Sequence, residues 1–208
     1  LRHLQSGWSF LRYQMNEFID LLPAQQRVDE VNWYRGTADA VYQNINLIQL
    51  HNPDLVVVFG ADHIYRMDLQ QMVDFHLERE ADATVAALPV PIVDASSFGV
   101  IDADHAGRVS DFKEKPADPP PMPSDPTRSY ASMGNYLFNA KVLVQALKEA
   151  NERGEHDFGH HVLPKLKDTH RVFAYDFATN KVPGTKPYEE PAYWRDVGTR
   201  DAYFNAHQ

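Results

Sequence analysis

Residues Leu55 to Phe59, LVVVF, constrain this chain more than any other stretch. Five apolar residues without alternation read as a strand buried on both faces, which is the environment of a parallel sheet covered by helices. Gly60 and Ala61 end the run, and Asp62 and His63 follow at once. A carboxylate just past the carboxyl end of such a strand stands where open α/β sheets place their ligands. Asp62 is therefore a site candidate; capping of the next helix is the other use of an aspartate there.

The flanks extend the pattern. Upstream, Val41, Ile45 and Ile48 recur at helical spacing until Asn52-Pro53, in a helix that starts after Gly36 with Thr37 as a plausible N-cap. Gly36 permits close approach of a ligand, and the amides behind it could receive a phosphate, ribose or base edge; ordinary capping explains the same residues. Downstream, Leu69 to Arg79 reads as a helix with Leu69, Met72, Val73 and either His76 or Leu77 inward, and Ala83 to Val90 as a second apolar strand. Helix, strand, helix, strand argues for right-handed βαβ crossovers and a parallel sheet.

At 208 residues and 43% hydrophobic, the chain can bury a real core, most simply as one domain over residues 1–208. Its 20 basic and 29 acidic residues give a net charge of -9 with no Lys/Arg cluster, which argues against nucleic acid as a partner. No cysteine is present, so thiolate chemistry is excluded, and the composition suits a reducing cytoplasm. The longest apolar run falls far short of the ~20 residues that cross a bilayer, so no membrane association is expected. The amino terminus shows no targeting pattern: Leu4, Trp8 and Leu11 give a short amphipathic helix, followed by an extended piece over Phe18 to Leu22 that Pro23 stops.

The second half is more irregular. Phe98 to Ile101 and Arg108 to Phe112 flank a loop with Gly107 late in it, a hairpin signal. The second arm runs into Lys113-Glu114-Lys115-Pro116, where a lysine beside a proline suits a phosphate or is simply a solvated Lys/Glu pair. Six prolines between 116 and 126 make an extended surface arm. Ser129 to Phe138 resumes as a strand in which Gly134 marks a bulge or a close ligand, and Ala140 to about Asn151 is an amphipathic helix. Asp157-Phe158-Gly159 lacks every companion of the kinase motif it resembles. His156, His160 and His161 have no Glu between them and no obvious third ligand, so they read as structural or solvent-facing. Arg171 to Phe177 is a final alternating strand, and a polar loop leads to Tyr193-Trp194-Arg195-Asp196-Val197-Gly198-Thr199 and a closing helix.

Seven blocks in order, WYRGTADAV at Trp33, ADHIYRMD at Ala61, FGV at Phe98, EKP at Glu114, SMG at Ser132, HDFG at His156 and YWRDVGT at Tyr193, closely resemble the bacterial ADP-glucose pyrophosphorylases, also called glucose-1-phosphate adenylyltransferases. LPAQQR at Leu22 to Arg27 fits too. The resemblance implies a Rossmann-like nucleotidyltransferase domain, α/β with a mostly parallel mixed sheet. It also implies Mg²⁺ as cofactor and the conversion of ATP and glucose 1-phosphate to ADP-glucose and pyrophosphate for glycogen synthesis. By the same resemblance Asp62 and Asp196 are metal ligands and, with Lys115, the catalytic group. Glu114, Lys115, Gly99 and Ser132 are sugar-phosphate contacts, Trp194 packs beside the sugar, and Tyr34, Gly36 and Thr37 lie in a segment that closes over the substrates.

Compared with that family, the sequence lacks the amino-terminal strand with its glycine-rich loop and the carboxy-terminal left-handed β-helix domain that helps build a tetramer. The chain is therefore expected to be an internal fragment, poorly stable and poorly active alone, of a full-length homotetramer. The alternatives are a pyrophosphorylase for another nucleotide, a non-catalytic regulatory subunit and a stand-alone sugar-phosphate binding module. Retention of Asp62, Lys115 and Asp196 weighs against the regulatory subunit.

Overall fold

The computed structural model describes residues 2–22 and 33–207, in two compact units, Leu1–Arg35 and Gly36–Gln208. The first holds a short helix α1 (Arg2–Gly7) and a single 3-10 turn, Tyr13–Met15, with Trp8 and Phe10 exposed and their rings 5.6 Å apart. No strand forms over the expected extended piece, Phe18 to Leu22. Pro23 and the rest of the LPAQQR block lie outside the described residues.

The second unit is an α/β fold. Its elements, in order, are helices α2 (Thr37–Tyr42) and α3 (Ile45–His51), strands β1 (Leu55–Val58) and β2 (His63–Tyr65), helix α4 (Leu69–Glu78), and strands β3 (Ala83–Pro91), β4 (Gly99–Ala103), β5 (Val109–Glu114) and β6 (Arg128–Asn139). Helices α5 (Ala140–Glu152) and α6 (Leu163–Thr169), strands β7 (Val172–Asp176) and β8 (Trp194–Asp196) and helix α7 (Arg200–Asn205) complete it.

Six strands form one sheet in the order β5-β4-β6-β3-β7, with β1 added against the other end of β6. Strands β1, β3, β4 and β7 share a direction, as the crossover reading requires. Yet among the described residues only β3 and β7 are hydrogen-bonded in parallel, because the long reversed strand β6 is inserted between β1 and β3. The helix α4 connection therefore spans an intervening strand.

Side chains alternate between two apolar layers. Val85 and Ala87 of β3 face Leu143 and Leu147 of α5, Phe158, and Leu163 and Leu166 of α6. Ala86, one residue between them, faces the other side with Met72 of α4, Met133, Leu137 and Phe177. Each such large side chain, when fully buried, contributes roughly 1.5–3 kcal/mol from removal of apolar surface.

Three local expectations change. Leu55 to Val58 is half-buried rather than buried and Phe59 is 44% exposed, because β1 pairs only with β6 among the described residues. The helix after Gly36 breaks into α2 and α3 at Asn44, whose side-chain amide donates to the Ala40 carbonyl at 2.8 Å. Thr37 is no N-cap; Gly36 holds that position. Gly134, by contrast, does sit in a bulge, with φ +72° and a register shift in the β3–β6 ladder between Val85 and Ala87.

Candidate active site

After β1 the chain turns at Gly60 and Ala61, and β2 leaves the main sheet to pair antiparallel with β8 in a separate two-stranded ladder. Its register sets His63 opposite Asp196 and Tyr65 opposite Trp194, and the Val197 N–H donates to the Asp62 carbonyl at 3.1 Å. Two carboxylates far apart in sequence thereby meet. Ligand atoms of Asp62, His63 and Asp196 all lie within 4.8 Å of one another, and both aspartates are exposed. The Asp196 Oδ1 accepts the Gly198 N–H at 2.8 Å, which fixes that side chain.

Beside this group opens a cleft of about 220 Å³. Gly99, Glu114, Lys115, Ser132, Trp194 and Asp196 line it, together with His63, Phe112, Gly134 and Tyr136. A larger hollow of about 610 Å³, lined by Arg66, Lys181, Thr185, Glu189 and Tyr193 among others, contains none of the expected site residues. The expected site residues gather at the smaller cleft.

Glycines shape its walls. A Cβ on Gly99 would stand 2.8 Å from the Glu114 Oε2 and 3.2 Å from the Phe112 ring, and one on Gly159 would stand 3.3 Å from the same oxygen. Glu114 is thus seated between two glycines, one from FGV and one from HDFG. Tyr136, buried beside the stacked rings of Phe138 and Phe158, has its phenol pushed up to about 12 by burial, so it stays protonated and able to donate across the whole neutral range. Trp194 packs edge-on to Phe98, with ring centroids 5.8 Å apart, and its indole N–H is buried without a partner.

Gly36 and Thr37 engage the HDFG segment. The Ala38 and Asp39 amides both donate to the His156 carbonyl, at 3.0 and 3.2 Å, and a Cβ on Gly36 would stand 2.3 Å from that oxygen. The glycine serves approach of the HDFG backbone, and those two amides are not available to a phosphate. Thr37 donates its hydroxyl to Asp157 Oδ2 at 3.1 Å and accepts the Phe158 N–H at 3.2 Å. Asp157 also accepts the His160 N–H at 2.9 Å, so the HDFG aspartate is a local cap and latch. Tyr34, half-buried, belongs to the first unit. Sequence reasoning passed over His63, Tyr136 and Gly159; the signal for the first was its place directly after Asp62, in the same block.

An α/β protein with paired carboxylates on a cleft beside the strand ends is the class that this fold and geometry define. The chain belongs to the nucleotidyl transferase family, whose model matches residues 1–208. It is 53% identical over 208 residues to the glucose-1-phosphate adenylyltransferase of Thermodesulfovibrio yellowstonii, covering 100% of this chain and 50% of that protein. It is 50% identical over 208 residues to the glucose-1-phosphate adenylyltransferase of Enterobacter sp. strain 638, covering 99% and 48%. Against glucose-1-phosphate adenylyltransferase 1 of Vibrio parahaemolyticus the identity is 49% over 207 residues, covering 99% and 50%. The chain spans about half the length of the curated relatives it matches.

Proposed function

We propose that this chain carries the nucleotidyl-transfer site of a glucose-1-phosphate adenylyltransferase, which makes ADP-glucose and pyrophosphate from ATP and glucose 1-phosphate for glycogen synthesis. The observation that carries the reading is the meeting of Asp62 and Asp196 at the rim of the cleft that Lys115, Glu114, Gly99, Ser132 and Trp194 line. The names of the relatives support the choice of substrates. The family match across residues 1–208 supports treating both units as parts of one catalytic domain.

The chemistry asks for charge control and geometry. A phosphate oxygen of glucose 1-phosphate forms a bond to the α-phosphorus of ATP as the bond to the pyrophosphate oxygen breaks, and the electron pair leaves with pyrophosphate. The substrate is its own nucleophile. Lys115, whose ammonium makes no ion pair among the described residues, lowers the repulsion between the two anionic substrates. Glu114 accepts hydroxyl hydrogens of the sugar, Tyr136 and Ser132 offer hydroxyls, and Trp194 gives the ring a flat wall. Asp62 and Asp196 supply the hard, exposed oxygens that suit Mg²⁺, which needs one or two carboxylates beside phosphate oxygens. A divalent ion held by these two carboxylates would supply positive charge to offset that of the α-phosphate and the leaving pyrophosphate. Holding both substrates in line can supply up to ~7–11 kcal/mol of the barrier relative to free encounter.

The test uses the full-length protein that contains this chain, with glucose 1-phosphate and, separately, ATP, UTP, dTTP and GTP. Mg²⁺-dependent release of pyrophosphate with ATP, lost in Asp62→Asn, is the expected result; preference for another nucleotide, or no turnover with any, overturns the assignment. Homotetrameric assembly and a cytoplasmic location belong to the same proposal. No helix among the described residues is long and apolar enough to cross a membrane.

A further inference from the structure

His63 has no part in the transfer step just described, yet its ring occupies a prepared seat. It lies on β2 directly opposite Asp196, with its centroid 5.0 Å from the Trp194 ring. Two glycines, one on β6 and one in the turn after β1, clear the space. A Cβ on Gly134, at the β6 bulge, would stand 3.1 Å from His63 Cε1, and one on Gly60 would stand 3.3 Å from Nδ1. Nδ1 is buried and makes no hydrogen bond among the described residues. A residue that served packing alone would be apolar, since a buried nitrogen without a partner is a cost.

The other ring nitrogen supplies the reason. Nε2 lies 3.6 Å from Asp62 Oδ1, and the Asp62 side chain is 70% exposed with no hydrogen bond among the described residues. The Asp196 carboxylate is held by the Gly198 amide; among the described residues the Asp62 carboxylate has only the imidazole. With its proton on Nε2, the ring directs an N–H at Asp62 and leaves Nδ1 a lone pair instead of a buried unpaired N–H. At 3.6 Å this is an electrostatic approach rather than a hydrogen bond, and the exposed carboxylate can close it by rotating about its own torsions.

The geometry points to His63 as a positioning residue: through Nε2 it holds one oxygen of Asp62 and leaves the other turned toward Asp196 to receive a divalent cation. The inference rests on the metal-assisted reading proposed above. Outer-shell partners of metal-binding carboxylates commonly change metal affinity by 10–100-fold. The ring also bridges Asp62 to Trp194, so the cation rim and the wall of the cleft share one support.

The amide variants His63→Gln and His63→Asn separate this role from packing. The nitrogen of Gln reaches the place of Nε2, whereas that of Asn reaches only the place of Nδ1, away from Asp62. Mn²⁺ binding to the full-length protein is read from the free-ion paramagnetic resonance signal, with the Asp62→Asn/Asp196→Asn double variant as background. His63→Asn is expected to weaken Mn²⁺ binding by about 10–100-fold, while His63→Gln stays within about threefold of the parent. Gly60→Ala, whose methyl would crowd both Nδ1 and the Asp62 Oδ1, is expected to act like His63→Asn and serves if that variant does not fold. Parent-like binding by His63→Asn or Gly60→Ala, or equal losses in the Gln and Asn variants, overturns the positioning role. If the parent binds Mn²⁺ no better than the double variant, the metal-assisted reading itself fails and takes this inference with it.

Discussion

Lys115 stands in the left-handed backbone region, φ +46°, immediately before Pro116. A lysine in that position is disfavoured both by its own Cβ and by the following ring. It is kept there by the pairing just beyond the Gly99–Glu114 end of the β4–β5 ladder, where its N–H donates to the Phe98 carbonyl at 3.0 Å. Strain of this kind, about 1–3 kcal/mol, persists where the surroundings fix it and gathers at functional positions. The consequence is an ammonium presented to the cleft from a stiff support. In the full-length protein Lys115→Ala is expected to raise KM for glucose 1-phosphate by about tenfold or more, in keeping with the ~1.5–3 kcal/mol of a charged hydrogen bond, and to leave KM for ATP nearly unchanged. Steady-state kinetics with each substrate varied in turn check this, and an effect confined to ATP would contradict it. Asp62→Asn keeps size and loses charge. It should lower kcat by about a hundredfold or more without lowering the thermal midpoint, since the Asp62 side chain is exposed and makes no hydrogen bond among the described residues, and the Asp62 carbonyl bond to Val197 is kept.

Helix α4 is tied to the sheet by a buried polar relay. His76 Nδ1 lies 2.8 Å from the Thr84 hydroxyl on β3, and Nε2 lies 3.3 Å from Asn139 Oδ1 at the end of β6. The Asn139 amide nitrogen donates to the Ala81 carbonyl at 3.0 Å, so its oxygen faces the imidazole. The ring therefore carries its proton on Nε2 and accepts from Thr84. Burial lowers the His76 pKa, with Asn139 and the Asp82 charge opposing in part. The folded state thus binds its proton less readily than the unfolded chain. This contribution to stability is complete above the unfolded value of ~6.5 and is lost as the pH falls from there through the lowered folded value. Urea midpoints measured between pH 8 and 5 should fall more steeply for the parent than for His76→Gln, which has no proton to take up; parallel curves would refute the relay's part.

The same element shows what the sequence can and cannot reveal. The spacing of Met72 and His76 marked the inward face of α4, and the choice between His76 and Leu77 fell to the histidine because Thr84 and Asn139 satisfy it, while Leu77 is 58% exposed. Local patterns likewise marked the β4–β5 hairpin, α5 and the bulge at Gly134. The place of β6 between β1 and β3 was hidden, since pairing among segments far apart leaves no trace in local periodicity. So was the Thr37–Asp157 latch, which turns a supposed cap and a supposed phosphate loop into an internal fastening.

At the scale of the whole molecule, the candidate site lies on a lightly supported part of the fold. The six-stranded sheet is filled on both faces, and β3 is buried along nearly all its length. The β2–β8 ladder has three residue pairs, and its outward positions, Ile64 and Arg195, are exposed. Two strands alone are marginal in water, so this ladder depends on Trp194 and Tyr65 packing against the second apolar layer. The ladder should therefore open without unfolding of the sheet, as sub-global units with few buried contacts do. Hydrogen exchange is expected to show β2 and β8 amides exchanging well before those of β3 and β6, with saturating Mn²⁺ slowing the β2–β8 amides selectively. A cation that binds only the closed ladder stabilises it by RT ln(1 + [L]/Kd), about 2.7 kcal/mol at a hundredfold excess over Kd. Uniform protection across both sheets, or none at Asp62 to Tyr65, would mean that the two aspartates do not meet on a shared ion.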